Sequence, residues 1–170
     1  MNKVHVLVLE GEPTLRTCLT QALVKNYQCR IQRAIGIRSL NPLVVITPRG
    51  IPKQLDCHFD FAFIDDCNED PDCGRIVAEL TRRGTKCIGL SFSVASNKAM
   101  LEKGACAALL KPFVVAAVML SVVPALTGAP EASANLAEQI KCGETLYRRD
   151  AAKHQLVSDA CDAVRKRQVA

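Results

Sequence analysis

Side chains able to do chemistry stand where short apolar, β-rich runs end. Glu10 and Glu12 follow residues 4–9, Asp65 and Asp66 follow 59–64, Ser91 lies at the end of 86–92, and Lys111 follows 105–110. Carboxylates bind cations, an ammonium pairs with anions, and a hydroxyl bonds to either. In an open α/β sheet the carboxyl ends of the strands are where such groups meet to form a site. Polar residues at strand ends also serve solubility, so this placement taken alone leaves both readings standing.

The elements that must position these groups alternate between β and α signals, the pattern of a parallel sheet with helices on both faces. Residues 4–9 read as a buried strand, and Pro13 opens a helix whose Leu15, Cys18, Leu19, Ala22 and Leu23 recur at helical spacing. Further strands are expected over 27–35, 59–64, 86–92 and 105–110, with helices over 74–83 and 96–103 closed by Gly84 and Gly104, and a last helix from Phe113. Residues 36–58 break the rhythm. Asn41-Pro42, Pro48 and Gly50-Ile51-Pro52 punctuate them, and 43–47 looks more like an extra strand than the helix that alternation demands.

Composition narrows the function classes. The chain has 170 residues, 49% hydrophobic and 23% charged, enough for one packed domain with some chain left over. The net charge of +5 invites a nucleic-acid reading, but the bases are spread along the chain and the only dense cluster, 65–72, holds five acids and no base. With 4% aromatics and no Trp, stacking platforms for single strands are absent as well. The nine cysteines are odd in number, scattered and mostly set in apolar runs, so reduced core thiols in a cytoplasmic protein are expected. The first apolar run is too short for a signal peptide, and 113–123, which precedes Pro124, is too short to span a bilayer.

Four stretches then align with a known pattern: Val6-Leu7-Val8-Leu9-Glu10-Gly11-Glu12-Pro13, Phe59-Asp60-Phe61-Ala62-Phe63-Ile64-Asp65, Ile88-Gly89-Leu90-Ser91, and Gly104-Ala105 followed by Leu110-Lys111-Pro112-Phe113. In this order they resemble the receiver domains of two-component response regulators, of the chemotaxis-regulator type. The resemblance spans residues 4 to about 126. It implies a flavodoxin-like α/β fold over 1–127, a doubly wound five-stranded parallel sheet in the order 2-1-3-4-5, followed by a C-terminal helical extension over 128–170.

The resemblance also implies roles. Asp65 would be the phosphoacceptor, attacking a phosphoryl group on a histidine kinase or phosphotransfer protein to form an acyl phosphate. Lys111, aimed by a cis bond to Pro112, would pair with the phosphoryl oxygens, and Ser91 would hydrogen-bond them and move the following loop as a switch. Mg²⁺ would sit on Glu10, Asp65 and the backbone carbonyl of Cys67, with waters completing its octahedron. The sequence departs from the family at telling positions. Where the family usually carries two acids after the first strand, the second a direct metal ligand, this chain reads Glu10-Gly11, so Glu12 or Asp66 would have to substitute. Phe92 replaces a small residue after Ser91, and Ala108 stands where an aromatic switch is common. Two functions follow from this mixture: a phosphorelay receiver, or a phosphorylation-independent pseudo-receiver serving as a dimerisation or interaction module.

Other motifs have plainer explanations. Asp66-Cys67-Asn68-Glu69-Asp70 begins like a calcium loop, but Pro71 stands at the turn glycine and Val77 at the bidentate acid. Cys57, His58, Cys67 and Cys73 lack paired zinc spacing. His5 reads as a packed core residue and Arg165-Lys166-Arg167 as a solvated helix end. Residues 114–123 are apolar on every helical face, so either the tail or a second subunit must cover them; a homodimer through this helix, extended by 131–168, is expected. The tail shows neither a DNA-binding helix-turn-helix nor an RNA-binding helix-bundle pattern.

Overall fold

The computed structural model describes residues 3–26, 28–66, 71–111 and 114. In chain order these form β1 (Val4–Leu9), α1 (Pro13–Asn26), β2 (Cys29–Ala34), β3 (Gly36–Leu40), β4 (Leu43–Ile46), β5 (Pro52–Gln54), β6 (Phe61–Asp65), α2 (Cys73–Arg82), β7 (Lys86–Ser91), α3 (Val94–Glu102) and β8 (Ala107–Leu110). Five strands make one parallel sheet in the order β2-β1-β6-β7-β8, which is the expected 2-1-3-4-5 arrangement with β6, β7 and β8 as the third to fifth strands.

The sheet is buried on both faces over β1, β6, β7 and β8, which are apolar at odd and even positions alike, while the edge strand β2 is more polar and partly exposed. Val6 and Val8 join Leu19, Leu23, Phe61, Phe63, Ile88 and Leu90 on the α1 side. Leu7 and Leu9 join Ala62, Ile64, Ile76, Leu80 and Met100 on the α2 and α3 side. Each of these large side chains contributes roughly 1.5–3 kcal/mol when taken from water. Local signals set the helix ends. The amides of Thr14 and Leu15 donate to the Glu12 carboxylate at the start of α1, Arg75 N donates to Asp72 at the start of α2, and Ser96 N to Ser93 at the start of α3. Gly84 and Gly104 stop α2 and α3 with φ of 85° and 103°, values that favour glycine.

Residues 36–58 hold no helix. Strands β3, β4 and β5 pair antiparallel as a three-stranded meander, with β4 at the position of the expected extra strand. Ile37, Leu43, Val45 and Leu55 point from it into the core on the α2 side, so the meander covers that face as a helix would. Chain reversal at Gly50, with φ of 75°, and a cis Asn41-Pro42 peptide belong to its turns.

The cysteine expectation is corrected. Cys87 alone is buried among the described cysteines; Cys29 and Cys73 are half-buried, and Cys18, Cys57 and Cys106 are exposed. On α1 the reason is visible: Arg16 is buried on one flank of the apolar face, which rotates Cys18 out of the packed side. His5 likewise is half-buried rather than a core residue. Cys67, the Lys111-Pro112 peptide, residues 115–123, the boundary at 127 and the extension over 128–170 lie outside the described residues. Among the described residues no helix is long and apolar enough to cross a membrane.

Candidate functional site

Adjacent parallel strands bring their carboxyl ends together, and Glu10, Asp65, Asp66, Ser91 and Lys111 at the ends of β1, β6, β7 and β8 form one acidic cluster. Lys111 is its centre. Its Nζ lies 2.5 Å from Asp65 Oδ1 and donates to Glu10 Oε1 at 3.1 Å, with all three side chains essentially buried. An ion cluster with so little water is held by its internal partners, because removing any one leaves an uncompensated buried group.

Burial pushes the Glu10 carboxyl up to about 8; the neighbouring Asp65 charge and a hydrogen bond between the two carboxyls act in the same direction, and Lys111 opposes them. Burial thus favours the neutral form of Glu10, in which it can donate to Asp65. Burial also raises the Asp66 carboxyl, with the Ser91 hydroxyl opposing. Glu12 behaves differently: burial would raise it, but the amides of Leu15 and Thr14 hold it below the usual carboxylate range.

The remaining candidates are close but differently engaged. Ser91 Oγ donates to Asp66 Oδ2 at 2.5 Å and accepts from Ser93 N at 2.7 Å, so its proton is directed at Asp66. The Phe92 ring stands with its centroid 5.3 Å from Lys111 Nζ, a cation–π distance that places it against the ammonium. Gly11 N donates to Asp65 Oδ2 at 3.3 Å, and a Cβ at Gly11 would stand 3.6 Å from that oxygen, an ordinary contact. Room for a side chain exists there; a carboxylate does not. Buried Arg16, which the sequence did not single out, donates through Nη1 to Glu10 O at 2.7 Å and Gly11 O at 3.0 Å and so fixes the loop after β1. The only signal for it was a base on an otherwise apolar helix face, one turn past Glu10-Gly11-Glu12.

Among the described residues, the carboxylates expected to hold Mg²⁺ are engaged by other groups. Gly11 supplies no ligand, Glu12 is occupied at the start of α1, and Glu10 is engaged by Lys111. Among the described residues no group of three or more His, Cys, Asp and Glu side chains is arranged to hold a metal ion.

No protein-family model matches the sequence, and no curated protein does. Solved structures are similar to it in shape. The BeF3-activated DrrB receiver domain is 17% identical, with 69% of this chain and 92% of that one covered at a TM-score of 0.54. The signal receiver domain of NarL from Mycobacterium tuberculosis is 20% identical over 76% and 100% at 0.55. The chemotaxis response regulator CheY4 of Vibrio cholerae is 15% identical over 74% and 99% at 0.56. With the strand order β2-β1-β6-β7-β8 and these likenesses in shape, this chain has the fold of the response-regulator receiver domains.

Proposed function

We propose that this chain is a receiver-type signalling module of the pseudo-receiver kind, working through protein contacts and without Mg²⁺-dependent phosphorylation. The observation that carries this reading is the ammonium of Lys111 between Glu10 and Asp65 beside a glycine at position 11, an acidic pocket neutralised by the chain's own cation. The engagement of Ser91 by Asp66 and the placement of Phe92 against Lys111 support it. A homodimer through residues 114–123 and the tail is part of the proposal, resting on the apolar sequence beyond Val114, which packs in the chain's own core; Ser121 is the one polar residue of that segment.

A second reading is favoured by the convergence of Asp65, Lys111 and Ser91 at neighbouring strand ends. Asp65 would accept a phosphoryl group from a histidine kinase or phosphotransfer protein, its carboxylate oxygen bonding to phosphorus as the donor's bond to phosphorus breaks, with Lys111 neutralising the phosphoryl charge. One experiment separates the two. The protein is incubated with a small acyl phosphate donor and millimolar Mg²⁺, and its intact mass is measured beside that of Asp65→Ala. No Asp65-dependent phosphoryl adduct is expected; its appearance would overturn the pseudo-receiver reading and establish the second.

A further inference from the structure

Residues 27–55 contain five bases, Arg30, Arg33, Arg38, Arg49 and Lys53, and no acid. All five are exposed, and among the described residues none forms an ion pair; Lys53 instead donates to the neutral Gln32 at 3.0 Å. Of the four large hydrophobic residues that are exposed among the described residues, two, Ile35 at 38% and Ile51 at 59%, lie in this segment. The meander brings them to one end: Ile35 N donates to Ile46 O at 2.8 Å, Thr47 N to Ile51 O at 3.0 Å, and Ile46 pairs with Pro52. Arg33, Arg49 and Lys53 neighbour these aliphatic groups in the chain. Strand β5 is an edge of its sheet, with all three residues exposed.

This end also borders the pocket. Ala34 O accepts from Glu10 N at 3.0 Å, and the charge of Arg33 acts on Arg16, the residue that fixes the loop after β1.

We infer that this end of the meander docks an extended segment of a partner protein that carries acidic and aliphatic residues together. The exposed bases, paired with no acid among the described residues, supply complementarity to the acids, and the exposed isoleucines meet the aliphatic groups. Nucleic acid is the poorer fit. Phosphates would use the bases but gain nothing from Ile35 and Ile51, and Tyr27 is the only aromatic residue of 27–55 that could stack on bases. The inference names a surface for the interaction module proposed above. Peptide docking and Asp65 phosphorylation are read separately, so failure of one is distinguishable from failure of the other.

The test is a selection of random-sequence displayed peptides on the full chain, followed by titration of the enriched peptides. Enrichment of Asp and Glu alternating with aliphatic residues is expected. Affinity should fall roughly tenfold or more for Arg49→Glu with Lys53→Glu, and also for Ile51→Ser, while Lys98→Glu on α3 leaves it unchanged. Both test variants alter exposed positions, and matching thermal melts confirm that they fold. Peptides without acidic bias, equal binding by the variants, or binding of a short DNA duplex in place of peptide would overturn the proposal.

Discussion

Lys111 stands between two carboxyls whose proximity would otherwise be repulsive, and the state of Glu10 decides how well the arrangement holds. Glu10 titrates near 8 in the fold against 4.5 ordinarily. Between those values the folded chain keeps a proton that the unfolded chain has lost. Stability therefore falls as pH rises from about 4.5 to about 8 and levels off above that. Glu10→Gln removes the titration while keeping a neutral side chain of the same shape. Thermal denaturation at about pH 5 and about pH 8 should show a clearly smaller fall in Tm for the variant than for the parent; equal falls would refute this account. Part of this chemistry was legible in the sequence, because Glu10, Asp65, Ser91 and Lys111 each end a recognisable apolar run. The diversion of Ser91 to Asp66 and the capture of two loop carbonyls by Arg16 were not, since both are choices among partners that only tertiary packing brings within reach.

At the scale of elements, the meander over β3, β4 and β5 does a helix's work with strands. Its attachment is apolar: Leu43 is 3% exposed and Val45 fully buried against the core shared with Leu7, Leu9 and Ile76. Leu43→Ala should cost roughly 2–4 kcal/mol in urea denaturation, with the meander amides losing hydrogen-exchange protection first. A loss under about 1 kcal/mol would mean that the meander is not anchored through this residue. The parallel strands β1, β6, β7 and β8 were readable because a strand buried on both faces must be a short continuous apolar run; the edge strand β2, with Arg30, Gln32 and Arg33, carries less of that signal. The meander was only half readable. The Val44, Val45 and Ile46 run marked one strand, while the flanking strands, β3 with only Ile37 and Leu40 apolar and the wholly exposed β5, follow from pairing with that strand and carry little apolar signal of their own.

For the whole molecule, the bases are spread along the chain, but two places stand out by their sign, and the composition could only add them together. A pocket of acids is neutralised from within by Lys111, while the segment over 27–55 carries five bases that nothing described neutralises. A net +5 thus says less about the kind of partner than about where one would land. Assembly is tested at the same scale: light scattering over a range of concentrations should return twice the chain mass of 18.5 kDa, and a monomer at every concentration would remove the dimer from the proposal. The join between the two sheets has a mechanical meaning of its own. Strand β2 lies in the parallel sheet, β3 lies in the meander, and Ile35 alone separates them, its own amide bonded to β4 while the preceding carbonyl, Ala34 O, holds Glu10 N. The backbone there behaves as a tie rod. One residue separates the outer sheet from the carbonyl that holds the amide of Glu10, so hydrogen exchange at Glu10 N is the place to look for an effect of whatever grips the far side.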